Sequence, residues 1–210
     1  MPEDKIKLIK LTKSPKADDR FYAQFDNGDA FTVTIAHIAD FDLFTGAELD
    51  MDSFRALSYD AERSKVKSRA LRMMSTRPMS KGEIVEKLTQ KGEREEMAQE
   101  VALWLEEIGA INEEDYSRAI VSHYAQKGYG AGKIRNELYK RKIPRDLWDE
   151  AMETMPEDES IIDRLVESRL KNREPDRKEI KKVSDMLLRR GYSYEEVRGA
   201  LRRFVENLED

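Results

Sequence analysis

The sequence predicts a mainly α protein: three tandem three-helix repeats forming an elongated curved array, preceded by a small N-terminal antiparallel β segment. Three observations lead there. From about residue 61 onward, apolar positions recur when the sequence is shifted by 50 residues without gaps. Before that point, apolar residues alternate with period two around an Asn-Gly pair. Hydrophobic and charged residues each make up 39% of the 210 residues. That is enough apolar matter to join helices but lean for one deep core, as expected of repeats that contact only their neighbours.

Residues 5–44 read as strands. Ile6, Leu8 and Phe21-Tyr22-Ala23-Gln24-Phe25 alternate, Asp26-Asn27-Gly28-Asp29 supplies a turn, and Phe31-Thr32-Val33-Thr34-Ile35 returns. Asn-Gly between such runs signals a hairpin because both residues tolerate positive φ. The segment predicts two to four strands, ended by Gly46, with a helix starting near 49–53.

The repeat rests on columns of apolar residues: Val66, Tyr116 and Val166; Ala70, Ile120 and Leu170; Leu88, Leu138 and Leu188; Met97, Leu147 and Val197; Val101, Ala151 and Leu201; Leu105, Met155 and Val205. Within a segment these lie three or four apart, the spacing of one helix face. Ser184, opposite Ile84 and Ile134, and Thr154, opposite Trp104 and Phe204, break the pattern. Ser80-Lys81-Gly82-Glu83 and Ser193-Tyr194-Glu195-Glu196 have capping-box spacing, and Asn112 and Asp176 are further N-cap candidates. Pro144 and Pro156 suit helix entry; Gly92, Gly109 and Gly191 suit helix ends. The predicted helices are 61–76, 80–91 and 94–108, then 113–127, 130–142 and 145–155, then 158–172, 177–190 and 194–207. The corresponding domains are a β-rich extension with a linking helix at 1–60 and repeats at 61–110, 111–156 and 157–210. Helices this short are unstable alone, so each must bury its stripe against neighbours.

Composition excludes several functions. Without cysteine there are no disulfides, thiol nucleophiles or thiolate zinc sites. Met1-Pro2-Glu3-Asp4 lacks signal-peptide character and no apolar run approaches a membrane span, so a cytoplasmic chain with no membrane contact is expected. His123 stands next to Ser122, but adjacent helix residues point to different sides and form no triad; His37 is likewise read as structural. Gly128-Tyr129-Gly130-Ala131-Gly132-Lys133 superficially looks like a phosphate loop but lacks the required spacing, has Ile134 where Ser or Thr is needed, and follows a helix; it reads as a turn. Glu113, Glu114 and Asp115 read as a helix start rather than a metal site. Trp104, Trp148 and Tyr129 read as packing residues rather than stacking platforms. No catalytic residue, cofactor or metal is expected.

Charge is unevenly spread. Residues 1–60 hold 7 basic and 12 acidic residues, a net of −5; residues 61–210 hold 31 of each. Basic residues gather where the middle helix of each repeat ends: Lys87 and Lys91, then Lys140, Arg141 and Lys142, then Arg189 and Arg190. Complementing the helix dipole is one sufficient reason. The other is a basic stripe, aligned by stacking and extended by Arg69, Arg72, Arg77, Lys81, Lys127, Lys133, Arg135 and Lys181, that touches phosphates or an acidic protein groove.

Arg77-Pro78-Met79-Ser80-Lys81-Gly82-Glu83-Ile84, followed by Leu88 and Lys91-Gly92, resembles the first-repeat signature of the RecX family. Leu105–Ile111, Asn112, Tyr116, Lys127-Gly128-Tyr129-Gly130, Lys133-Ile134, Glu137-Leu138 and Lys142-Ile143 are similar to its central repeat. The N-terminal β segment is similar to the extension on some Gram-positive-type members. Departures are Glu113 where Asp is frequent, Ser117 for a usual alanine, Ile143 directly after Lys142 where a glycine commonly intervenes, and Pro78 within the first signature. The resemblance implies a regulator that lies in the groove of the RecA filament on single-stranded DNA, bridges protomers and hinders strand exchange and ATP hydrolysis. It implies that the basic positions above contact RecA or DNA. A monomer is expected. A stand-alone DNA-binding repeat protein and a helical scaffold for another partner are the competing expectations.

Overall fold

The computed structural model describes residues 5–15, 17–156, 160–170 and 176–209. Strands β1 (Ile6–Lys13), β2 (Arg20–Phe25), β3 (Ala30–Thr34) and β4 (Glu48–Leu49) form an antiparallel sheet in the order β3-β2-β1-β4. The hairpin at Asn27-Gly28 forms, but only Gly28 takes positive φ, at +92°. Period-two alternation sends Leu8, Ala23, Phe25 and Val33 inward onto Phe54 and Leu57 of the following helix. Phe25 stacks on Phe31 at 5.1 Å and meets Phe54 edge-on at 5.0 Å.

Two expectations for this segment are corrected. Ile35 does not continue β3, because Thr34 caps a helix, α1 (Ile35–Asp40), accepting the His37 N–H while His37 Nδ1 accepts the Thr34 N–H at 3.0 Å. Nor does the sheet end at Gly46, since Ile6 and Lys7 pair with Leu49 and Glu48 of β4. Beyond it, α2 (Met51–Met74) runs unbroken through the expected boundary at residue 60, with Asp50 capping it through Ser53 N–H.

The chain divides into two compact units, Met1–Arg77 with Lys87–Val101, and Pro78–Glu86 with Ala102–Asp210. The helices are α3 (Lys81–Gln90), α4 (Glu95–Glu107), α5 (Glu113–Gln126), α6 (Ala131–Lys140), α7 (Trp148–Glu153, entered through a 3-10 turn at Arg145–Leu147), α8 (Ser160–Leu170), α9 (Arg177–Arg189) and α10 (Tyr194–Glu209). Both ends of the expected helix 158–172 fall outside the described residues. In the first unit α2 is tied to the segment 93–100 by Arg63–Glu100 at 2.5 Å, Arg94–Glu62 at 2.7 Å and Arg69–Glu93. In the second unit α5, α6 and α7 enclose Ile120, Val121, Ile134, Leu138 and Ala151, and α8, α9 and α10 enclose Val166, Val183, Leu187, Val197 and Phe204.

The repeat holds, with one change of register. Leu188, expected beside Leu88 and Leu138, is 41% exposed, and Leu187 is buried instead. Val183, not Ser184, occupies the place of Ile84 and Ile134. Val205 is likewise 41% exposed while Phe204 is buried. Ile84 to Ile134 is 50 residues and Ile134 to Val183 is 49. One residue is therefore missing between Leu170, where the old register still holds, and Val183. That deletion removes both exceptions: Val183 replaces Ser184 in its column, and Phe204 joins Leu105 and Met155 rather than Trp104 and Thr154.

Candidate interaction surface

The middle helices of successive repeats meet head to tail in the second unit. At the N-terminus of α3, Ser80 Oγ donates to the Arg141 carbonyl at 2.6 Å, just beyond the end of α6. At the N-terminus of α6, the Gly130 N–H donates to the Arg190 carbonyl and the Gly132 N–H to the Gly191 carbonyl, each at 2.9 Å, just beyond the end of α9. Carbonyls left over at one helix end thus meet donors at the next helix start, a cap hydroxyl at the first junction and leftover backbone N–H groups at the second. The approach is close: a Cβ on Gly82 would lie 2.7 Å from Lys142 Cβ, and one on Gly191 would lie 2.1 Å from the Lys133 nitrogen. Gly191 takes φ +89°, and Lys142 takes the same left-handed turn at +52° without being glycine.

A buried carboxylate reinforces the first junction. Glu113 accepts the Lys81 N–H at 2.8 Å and faces Lys81 Nζ at 3.6 Å, while that Nζ also donates to Glu106 at 2.7 Å. Burial raises the Glu113 carboxyl above its ordinary range, with Lys81 pulling the other way. The hydrogen bond to Glu106 raises Lys81 above its ordinary value, against desolvation. At the start of α5, Asn112 is the cap, accepting the Asp115 N–H at 3.0 Å, while Glu113 serves the junction and Glu114 and Asp115 pair with Arg118 at 3.8 and 2.8 Å. Among the described residues no group of His, Cys, Asp or Glu could hold a metal ion.

These junctions sort the basic candidates. Arg141 donates to Tyr116 Oη at 2.8 Å and lies over that ring, with Glu83 at 4.0 Å. Arg190 lies over Tyr129 at 5.4 Å and reaches the carbonyls of Lys127 and Gly128 at 3.3 Å. Both are junction clamps. Lys133 and Lys140 pair with Glu137 at 3.1 and 3.4 Å, and Lys142 pairs with Glu86 at 3.3 Å. Arg69 is held by Glu93, and Arg77 is half-buried with interactions of its own. Arg72, Lys91, Lys127, Arg135, Lys181 and Arg189 are exposed, and Lys87 partly so.

What the second junction gathers is a groove of about 550 Å³, where Lys133, Arg135 and Asn136 of α6 face Leu188 and Arg189 of α9. Among the described residues Arg135 and Arg189 form no ion pair. One turn beyond Arg135, Tyr139 is 64% exposed. At the first junction Val85 and Glu86 stand where Arg135 and Asn136 stand here, and Lys142 is neutralised by Glu86. Within the second unit, this junction thus brings two exposed arginines together where the first junction has Val85 and an ion-paired Glu86. Arg69, Arg72, Arg77, Lys87 and Lys91 belong to the first unit and are not part of the groove. Sequence reading missed Tyr139 and Leu188. Tyr139 lies just off the buried Ile134–Leu138 stripe, and the gapless register assigned Leu188 to the core.

Ser122 Oγ accepts from the Gln126 amide at 3.1 Å rather than meeting His123, which is exposed. His37 is buried within the α1 cap and reaches Ser64 Oγ at 3.4 Å. Trp148 donates its indole N–H to the Ile143 carbonyl at 3.0 Å. No helix among the described residues is long and apolar enough to cross a membrane.

Family models for the second and third three-helix domains of RecX match residues 112–152 and 157–201. A regulatory protein RecX from Clostridium acetobutylicum is 29% identical across 99% of this chain and all of its own length. Together these matches support the RecX family for this chain. The Bacillus subtilis regulatory protein RecX is 28% identical over 97% of this chain and 79% of its own. A crystal structure of regulatory protein RecX shares the fold with a TM-score of 0.68, 23% identity and coverage of 92% of this chain and 97% of that one. In RecX terms, the groove lies where the second and third three-helix domains meet.

Proposed function

We propose that this RecX-family regulatory protein binds the RecA filament on single-stranded DNA and lowers its recombinase and ATPase activity in DNA repair and recombination, catalysing no reaction itself. The observation that carries the reading is the groove at the second junction. Among the described residues Arg135 and Arg189 stand there without ion-pair partners, the one groove carboxylate, Glu196, accepting the Ser193 N–H, and the exposed side chains of Tyr139 and Leu188 are close by in sequence. Unpaired guanidinium groups next to an accessible aromatic are what an acidic protein surface or a phosphate backbone engages. Repeats that each add a contact let several weak interactions act together.

The test is RecA ATPase on single-stranded DNA, titrated with this protein at substoichiometric ratios. Inhibition well below one copy per RecA supports filament capping or bridging. No effect at excess of folded protein with the cognate RecA withdraws the reading. Tight DNA binding without RecA that weakens steeply with salt would instead favour a stand-alone DNA-binding role.

A further inference from the structure

We propose that the solvent face of the N-terminal sheet is a contact for single-stranded nucleic acid, with Tyr22 stacking an unpaired base. The face is built by strand register. Tyr22 sits on the inner strand β2, paired with Thr12 of β1 on one side and Thr32 of β3 on the other. Two small neighbours leave its ring uncovered, and it is 51% exposed, although aromatics in sheets ordinarily pack against cross-strand partners. In the adjoining row Lys10 pairs with Gln24 and Gln24 with Ala30. Together these residues line a shallow hollow of about 410 Å³ on the sheet.

The charge on this face differs from that of the segment carrying it. Residues 1–60 have a net charge of −5, yet no carboxylate lines the hollow. Of the nearby acids, Asp18 pairs with Lys13 at 2.9 Å, Asp26 accepts the Lys7 N–H at 3.0 Å, Asp29 accepts from the Asn27 amide at 2.8 Å, and Glu48, across from Lys7 on β4, pairs with Lys5 at 3.7 Å, away from the hollow. Lys10 forms no ion pair among the described residues. Because Ile6 and Leu8 are buried, Lys7 faces outward, and the bulge between Leu8 and Lys10 keeps Lys10 on the outer side as well. The face thus offers an exposed aromatic ring, two ammonium groups along one strand, and hydroxyl and amide groups between them. Single-stranded nucleic acid presents the complement: a base face to stack, phosphates to pair and base edges to hydrogen-bond. A duplex hides its base faces and would not fit. This contact stands independently of the RecA reading.

The experiment measures fluorescence anisotropy of a labelled oligothymidylate of about 20 nucleotides, long enough for a small sheet surface, with the full-length protein and no RecA. Tyr22→Ala is expected to weaken binding about five- to tenfold, the scale of one lost base stack, while Tyr22→Trp retains it. Lys7→Glu with Lys10→Glu is expected to weaken binding and flatten its salt dependence. Ultraviolet cross-linking should attach the oligonucleotide to the tryptic peptide that begins at Phe21. The proposal is overturned if Tyr22→Ala binds as the parent does, if duplex DNA competes equally, or if no cross-link falls on that peptide. Unchanged oligonucleotide affinity with weakened RecA-filament binding overturns it too and assigns the face to protein. Loss of RecA inhibition in the ATPase titration leaves these results untouched, so the two readings fail separately.

Discussion

At the residue scale, the junctions set strict demands on single positions. Gly82 has no room for a methyl group because Lys142 Cβ occupies the space. Gly82→Ala should therefore destabilise the protein by about 1–3 kcal/mol, the usual range for overpacking, read as a lower urea midpoint. Lys142 holds a left-handed conformation at +52° that side chains other than glycine's adopt at a penalty of about 1–2 kcal/mol. Lys142→Gly removes both the strain and the obstructing Cβ, so the double variant should recover most of the Gly82→Ala loss, a coupling readable in a double-mutant cycle. Two glutamates of the second unit should respond to pH with opposite signs. Burial raises Glu113, so between the ordinary 4.5 and its folded value the native state holds more protons than the unfolded chain, and stability falls as pH rises. Glu137 suffers desolvation too, but Lys133, Tyr124 and Lys140 outweigh it and lower its value. Its contribution is present above 4.5 and lost as pH falls through the folded value. Glu113→Gln should flatten the stability profile above pH 4.5 and Glu137→Gln below it; denaturant titrations across acidic pH check both.

At the element scale, the decisive feature is the register of α9. Capping boxes behave as their spacing predicts: Ser80 with Glu83, Ser193 with Glu196, and Asp176 with Glu179 all exchange side-chain and backbone hydrogen bonds. Helix positions were legible for that reason. The face of α9 was not, because a gapless alignment cannot register a missing residue, and Leu187 and Leu188 are the same residue type. Leu187→Ala should cost about 2–5 kcal/mol, as for a fully buried leucine, whereas Leu188→Ala should stay within about 0.5 kcal/mol, as for a surface position. Thermal melts of the two variants distinguish the registers directly. Among the strands, Ile35 shows how a β-branched residue can open a helix when the residue before it, Thr34, is a good cap.

At the scale of the whole molecule, the basic residues divide into those that hold the repeats together and those that face solvent. Arg141→Ala and Arg190→Ala should lower stability before they affect any partner, since each leaves a ring and polar groups at a junction without a cation. Arg135→Glu with Arg189→Glu should leave the melting profile intact and weaken RecA-filament binding at least tenfold in a pull-down titration. Replacing Lys140, Arg141 and Lys142 together would mix the two effects. Counting by the corrected spacing, Lys181 stands where Gly82 and Gly132 stand, and α9 starts a turn earlier than α3 and α6.

The linear pattern carried the helical class, the three-helix period and the caps, because each depends on residue type at short spacing. The groove and the sheet face depended on distant partners. Whether an arginine is a clamp or a free cation is decided by which ring or carboxylate the fold places beside it, as Arg141 and Arg135, six residues apart on the chain, demonstrate. An exposed tyrosine such as Tyr22 differs from a buried one only through its cross-strand neighbours, and those neighbours are fixed by pairing rather than by local sequence.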